Sequence, residues 1–252
     1  MPAPLPPPRI DVYAVCWNEE QMLPYFLRHY TKYAQQVTIF DNRSTDRSVE
    51  IIRSFANTAV ESFETGEIMD ESKLVEIRNT AWKRSRGRAD WVIVVDIDEI
   101  IYHVDLPGYL ASCAASGITV CWPVGYEMYA REFPATSGQI YEELKFGIPR
   151  PKWNDKPVVW NPDAIEEMNL GEGSHTAEPV GRINVDSARR ELKLLHYHLL
   201  GVDYVLPRYR ARRERLTQEM NDRKWCFQYH FEADRINKRI GMIESQAWQI
   251  VP

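Results

Sequence analysis

Apolar positions along the first hundred residues switch repeatedly between a strand-like and a helix-like spacing. Ile10 to Cys16 is a short apolar run with few polar interruptions and predicts a strand. Met22, Tyr25, Phe26, His29 and Tyr30 then recur at helical spacing and predict a helix over roughly Gln21 to Tyr33. Pro24 is compatible with that helix because it falls in the first turn, and His29 is read as a packed core residue. Val37 to Phe40 predicts a second strand. Ser44 then reads as the N-cap of a helix over Thr45 to Phe55. Val60 to Phe63 predicts a third strand and Glu71 to Arg86 a long helix. The run Trp91-Val92-Ile93-Val94-Val95 is continuously apolar and β-branched, as suits a strand buried on both faces.

Strand and helix alternate three times before that last strand. This order predicts an α/β fold, with a mostly parallel central sheet and helices on both faces. Right-handed crossovers then bring the C-terminal ends of the strands to one edge, where such sheets bind ligands. Asn18, Glu20, Asp41 and Asp98 each follow a predicted strand and are expected to meet there. The apolar run Trp91 to Val95 ends in Asp96-Ile97-Asp98-Glu99. On an extended chain Asp96 and Asp98 point the same way, and two carboxylates held together call for a cation. Oxygen ligands of this kind suit Mg²⁺ or Mn²⁺.

Composition narrows the classes. The chain has 252 residues, 44% hydrophobic and 27% charged, which is ordinary for a globular protein with a sizeable core. A net charge of −5 argues against a nucleic-acid partner. Cys16, Cys113, Cys121 and Cys226 show no paired spacing, so neither a zinc site nor a disulfide framework is expected, and a cytoplasmic setting is the default. No apolar run reaches the roughly 20 residues that cross a bilayer. Residues 1–9 are proline-rich and expected to form a disordered arm. No glycine-rich phosphate loop follows the first strand, which disfavours a conventional dinucleotide or ATP fold.

Four segments in order now form a recognisable set: Ala14-Val15-Cys16-Trp17-Asn18-Glu19-Glu20, Phe40-Asp41-Asn42-Arg43-Ser44-Thr45-Asp46, Arg78-Asn79, and Asp96-Ile97-Asp98-Glu99. Together they resemble the family 2-like glycosyltransferases of GT-A fold over about the first 105 residues. The resemblance implies a Rossmann-like domain over 10–200. Its 10–105 half would bind the nucleotide and its 106–200 half the acceptor, followed by a helical extension over 201–252. It implies a nucleoside-diphosphate sugar donor, a UDP-sugar favoured, and a glycan or other hydroxyl acceptor, with inversion favoured and retention left open because no single residue signals it. By position, Cys16, Trp17, Asn18 and Glu20 would hold the nucleoside, together with Ile97. Asp41 would accept from the base, Arg78 would reach the base or diphosphate, Asp96 would meet the ribose and the metal, and Asp98 would hold the metal. A carboxylate can accept from a uracil imide, arginine binds phosphate bidentately, and a cation offsets charge on the departing diphosphate.

The second half departs from the best-known members, whose acidic pair before a late helix has no clear counterpart here. Val120 to Val124 reads as a strand, and Pro149 to Trp160 as a loop with a short strand. Gly171 to His175 reads as a loop, and Leu194 to His198 as a strand whose two histidines face one way. A histidine often completes the metal shell in GT-A enzymes, and His175, then His196, are the preferred candidates. His196 and His198 could equally be hydrogen-bonded core or rim residues. Glu127, Asp163 and His175 are the candidates to take the acceptor proton. From Tyr204 the chain reads as helical. Its arginines at 208, 210, 212, 213 and 215 could bind the diphosphate or an anionic membrane surface, or form a solvated face. Three rivals stand beside the transferase: a nucleotidyltransferase, which would carry a glycine- and base-rich loop near its start; a metal-dependent phosphohydrolase, which would need more acids around Asp96; and a non-catalytic carbohydrate-binding protein, which would bind no nucleotide.

Overall fold

The computed structural model describes residues 6–151, 153–186 and 191–252. Residues 1–5 of the expected arm therefore lie outside the described residues. The first half alternates as β1 (Ile10–Cys16), α1 (Leu23–Tyr30), β2 (Gln36–Asp41), α2 (Ser48–Arg53), β3 (Thr58–Ser62), α3 (Glu71–Thr80) and β4 (Trp91–Val94). β3, β2, β1 and β4 lie side by side and are all parallel. The order places the C-terminal ends of β1, β2 and β4 at one edge, as right-handed crossovers require. β4 shows why its sequence is apolar throughout. Trp91 and Ile93 enter one core and Val92 and Val94 the other, because successive side chains point to opposite faces.

The chain then leaves this sheet for another. After β4, Val95 to Asp98 turns, and β5 (Glu99–Tyr102) begins in a second sheet. α4 (Leu106–Ala115), β6 (Val120–Cys121), β7 (Val124–Ala130), α5 (Ile140–Glu143), β8 (Phe146–Pro149) and β9 (Val159–Trp160) follow. β9 and β6 extend the first sheet to six strands, both in antiparallel pairings. β10 (Ile165–Glu167) and β11 (Val180–Gly181) form a small ribbon. β12 (Lys193–Leu200) lies between β7, parallel to it, and β5, antiparallel. The C-terminal portion is helical: α6 (Val202–Glu214), α7 (Gln218–Asp222) and α8 (Ala233–Glu244), closed by β13 (Trp248–Gln249). β13 pairs with β8, so the second sheet has five strands in the order β13-β8-β7-β12-β5.

Four sequence expectations change. Ser44 is not the helix N-cap: α2 starts later, at Ser48, and the Ser44 hydroxyl instead accepts from the Asn18 backbone N–H at 2.9 Å. The long helix from Glu71 ends at Thr80 and continues as a 3₁₀ turn over Ala81–Ser85. Asp96 and Asp98 do not lie on a strand, because β4 stops at Val94. Within the extension expected to be helical to 252, α8 stops at Glu244 and Trp248 belongs to a strand. His29 is packed, as expected: it is buried edge-on against Tyr30, Tyr33 and Tyr141, and burial pushes its pKa down to about 3.

Candidate active site

A cavity of about 1310 Å³ opens where the two sheets meet. Drug-sized ligands occupy roughly 300–1,000 Å³, so this one has room for more than one small substrate. Its wall includes Cys16 at the end of β1 and Trp17 just after it, Arg78 on α3, and Asp96, Ile97 and Asp98 between β4 and β5. Glu127 on β7, His196 and His198 on β12, and His175 complete the polar part of the wall.

Asp96 sits in a closed ion network. Arg78, itself buried, donates to Asp96 at 2.9 Å and to Glu71 at 3.2 Å. Lys156 Nζ lies 2.6 Å from Glu99 Oε1 and 3.5 Å from Asp96 Oδ2, while the Asp96 backbone N–H donates to Glu99 Oε2 at 3.0 Å. Burial would raise the pKa of Asp96, yet Arg78 and Lys156 outweigh it and hold the carboxyl down at about 2. Burial likewise opposes the Lys156 charge, and Glu99 and Asp96 overcome it.

Asp98 has different surroundings. It ends the turn that joins the two sheets, and its carbonyl accepts from the Tyr197 backbone N–H at 2.7 Å. Its carboxylate faces His196 Nε2 at 3.7 Å, His198 Nδ1 at 3.8 Å and Arg208 at 3.8 Å. Against the effect of burial, these groups hold its pKa well below the usual carboxylate value. His196 and His198 stack with ring centroids 5.3 Å apart because residues i and i+2 of a strand share a face. One ligand atom from each of Asp98, His196 and His198 lies within 4.8 Å of the others. Ligands about 2.1 Å from a common ion stand roughly 3–4 Å apart, so the gap fits a divalent cation. A carboxylate with two imidazoles suits Mn²⁺ better than Mg²⁺.

α6 closes one side. Arg208, Arg212 and Arg215 recur at i, i+4 and i+7 and therefore share a face. Arg208 and Arg212 both pair with the buried Glu19, and Arg215 stacks 4.0 Å over the Trp17 ring. Arg210 and Arg213 lie on the other side and pair with Glu232 at the surface. The α6 backbone approaches the 131–132 segment closely at Gly201, where φ is 86° and a Cβ would meet Arg131 O at 2.6 Å.

With this geometry in view, residues 11–165 match the model of a known family, glycosyl transferase family 2. The match covers more than half of the chain. The chain belongs to glycosyl transferase family 2. No curated protein matches it. Among solved structures it is similar to S. aureus TarS 1-349, with 17% identity, 81% of this chain and 63% of that chain covered, and a TM-score of 0.47. The S. aureus TarS structure gives 16% identity, 81% and 38% coverage and a TM-score of 0.49. The chain thus spans less than two thirds of either TarS chain. The two-sheet arrangement, with the acidic turn at the end of β4, is the GT-A fold of family 2.

Of the residues singled out from sequence, Cys16, Trp17, Arg78, Asp96, Ile97, Asp98, Glu127, His175 and His196 all line the one cavity. Asn18, Glu20, Asp41 and Asp163 do not. Asn18 Oδ1 accepts from Thr45 N–H at 2.8 Å, and Glu20 Oε2 accepts from Arg47 N–H at 3.0 Å, so both tie the loop after β1 to the loop after β2. Asp41 lies beside Cys16 in the β1–β2 register, behind the wall, and accepts from Ser44 N–H at 3.1 Å. Asp163 is exposed and accepts from Gly87 N–H at 2.8 Å, holding a loop elsewhere. The candidate cation cluster contains neither Asp96 nor His175. Sequence reasoning passed over Lys156 and Glu19 and ranked His198 below His175. The signal for His198 was present in its two-residue spacing from His196. For Lys156 no local signal existed, since its partners are 57 and 60 residues away.

Proposed function

We propose that this chain transfers a sugar from a nucleoside diphosphate to a hydroxyl acceptor, with Mn²⁺ or Mg²⁺ held by Asp98, His196 and His198. The observation that carries the reading is the gap between these three side chains. Asp98 faces the two imidazoles at 3.7 and 3.8 Å, too far for a hydrogen bond, and one ligand atom from each of the three lies within 4.8 Å of the others, close enough to share an ion. Such a cation, when bound, would offset the charge on the departing diphosphate. Arg212, in the same wall and anchored by Glu19, supplies a second positive group for those phosphates.

Val15, Trp17, Phe63 and Leu74 give the cavity wall apolar surface against which a nucleoside can pack. A UDP-sugar is the donor to test first; Asp41, which the resemblance would set against the base, is buried behind Cys16 and does not line this wall. Of the three residues considered as proton acceptors, Asp163 stands outside the wall, which leaves Glu127 and His175. His175 is neutral at pH 7, because burial and then the nearby Lys156 charge push its pKa down to about 4. Its Nδ1 lies 2.7 Å from the Trp153 carbonyl, so Nδ1 carries the proton and Nε2 the lone pair. Among the described residues no helix is long and apolar enough to cross a membrane. The α6 arginines that face the cavity are occupied there, so peripheral membrane contact would fall to exposed residues such as Arg210.

The test is a thermal-shift series with nucleoside diphosphates, with and without Mn²⁺. UDP with Mn²⁺ is expected to raise the melting temperature, and Asp98→Ala is expected to abolish the metal-dependent part and to lower transfer by about 10²-fold or more. A flat response to every diphosphate, with metal present, would reject the transferase reading.

A further inference from the structure

We infer that Glu127 and Tyr209 act as positioning residues that fix the tautomers of His196 and His198, so that both imidazoles turn a lone pair toward Asp98. The inference rests on the cation reading above and extends it to the residues behind the ligands.

The two histidines approach Asp98 through different nitrogens. His196 uses Nε2, at 3.7 Å, and His198 uses Nδ1, at 3.8 Å. In each ring the remaining nitrogen faces one neighbour. For His198 it is the Tyr209 hydroxyl, 2.5 Å from Nε2. For His196 it is Glu127 Oε1, 3.5 Å from Nδ1. Neutral imidazole has one N–H and one lone pair, and the partner of one nitrogen decides where the proton sits. A carboxylate can only accept, so Glu127 holds a proton on His196 Nδ1, and a cation standing between Asp98 and Nε2 then meets the lone pair of Nε2. The Tyr209 hydroxyl can accept from His198 Nε2–H, and in that arrangement Nδ1 is free. Opposite nitrogens are thereby selected on two neighbouring rings, and both lone pairs converge on the same gap.

The Glu127–His196 pair carries a second mark. Glu127 Oε1 and His196 Nδ1 are both sealed from solvent, and neither has a hydrogen-bond partner among the described residues. A buried donor and a buried acceptor left unmade cost about 1–3 kcal/mol each, and these two face one another. A shift of about half an ångström brings them into hydrogen-bond range. The strands supply the placement: Glu127 on β7 and His196 on β12 are direct partners in the parallel ladder. The other Glu127 oxygen lies 3.6 Å from Arg239 on α8, so the carboxylate is held between an imidazole and a guanidinium. Its inner oxygen is therefore committed to His196 and is not presented to an acceptor hydroxyl. This assignment leaves His175 as the wall residue that receives the acceptor proton.

Two measurements decide the matter. Nitrogen-15 NMR of the metal-free protein near neutral pH is expected to show His196 as the Nδ1–H tautomer, and Glu127→Ala is expected to move it toward Nε2–H. Mn²⁺ titration followed by electron paramagnetic resonance is expected to show affinity about 10–100-fold weaker in Glu127→Ala and in Tyr209→Phe. Glu127→Gln, whose amide oxygen still accepts from Nδ1–H, is expected to rescue Mn²⁺ affinity to within a few-fold of the original. The inference is overturned if His196 Nδ1 carries no proton, or if Glu127→Ala leaves Mn²⁺ affinity unchanged. It is also overturned if Glu127→Gln loses transfer as completely as Glu127→Ala while binding Mn²⁺ normally, which would make Glu127 the proton acceptor. If the unmutated protein binds no Mn²⁺, the cation reading fails, and the tautomer measurement still decides the role of Glu127.

Discussion

Asp96 and Asp98 are two residues apart, yet they end in opposite kinds of environment. Asp96 belongs to a finished network in which Arg78, Lys156, Glu71 and Glu99 neutralise one another. Asp98 faces two imidazoles and a guanidinium across gaps that no hydrogen bond closes. The difference comes from the turn. Because β4 stops at Val94, one carboxylate stays with the first sheet while the other is carried to the second. A carboxylate saturated by its own chain shapes the site, and one whose partners stand off beyond hydrogen-bond range leaves room for an ion.

The comparison is broken most severely by removing a member of the closed network. Lys156→Met would leave Glu99, which is almost fully buried, without its cation, and a buried charge stripped of its partner costs about 3–5 kcal/mol. Chemical denaturation is expected to show a loss of that order, or no folded protein. An unchanged midpoint would mean that Glu99 takes up a proton or another partner.

Acid sharpens it. Asp96 has a folded pKa of about 2 against an ordinary value of 3.8. Its contribution to stability is therefore complete above about pH 4 and is lost as the pH falls toward 2. Allowing for its partial exposure, it amounts to about 1–2 kcal/mol. Urea unfolding between pH 5 and pH 2.5 is expected to show a steeper decline in the unmutated protein than in Asp96→Asn. Parallel curves would show that the network does not depress this group.

The smallest effect belongs to the outer face of α6. Glu232→Ala removes the partner of Arg210 and Arg213, all exposed, and is expected to leave both the denaturation midpoint and Mn²⁺ affinity unchanged. A fall in Mn²⁺ affinity would show that the two faces of α6 are coupled.

The same contrast explains what could be read from the sequence. The parallel β1–β4 sheet was legible because each strand and helix is a local pattern, and because acids and amides follow each strand. The ends of the elements were less legible. Asn18, Ser44 and Asp46 are all good caps by type, and only the packed structure shows that Asn18 and Ser44 bind each other's loop rather than a helix end. The second sheet was hidden because its strands come from distant places. β5 lies beside β12, some ninety residues later, and β13 completes the sheet from the chain's last residues. His196 and His198 could be seen to share a face, but not that the face was opposite Asp98. The site preference for His175 reflected its glycine-flanked loop. In the structure that loop brings it to the cavity wall beside Trp153, away from the cluster at Asp98.

The central claim is that Asp98, His196 and His198 share one ion. Crystals soaked in Mn²⁺ and measured at the manganese absorption edge test it directly. The account predicts a single strong anomalous peak about 2.1–2.3 Å from Asp98 and from the Nε2 of His196 and the Nδ1 of His198. A peak bound instead by Asp96 and His175, or no peak anywhere in the cavity, would contradict it.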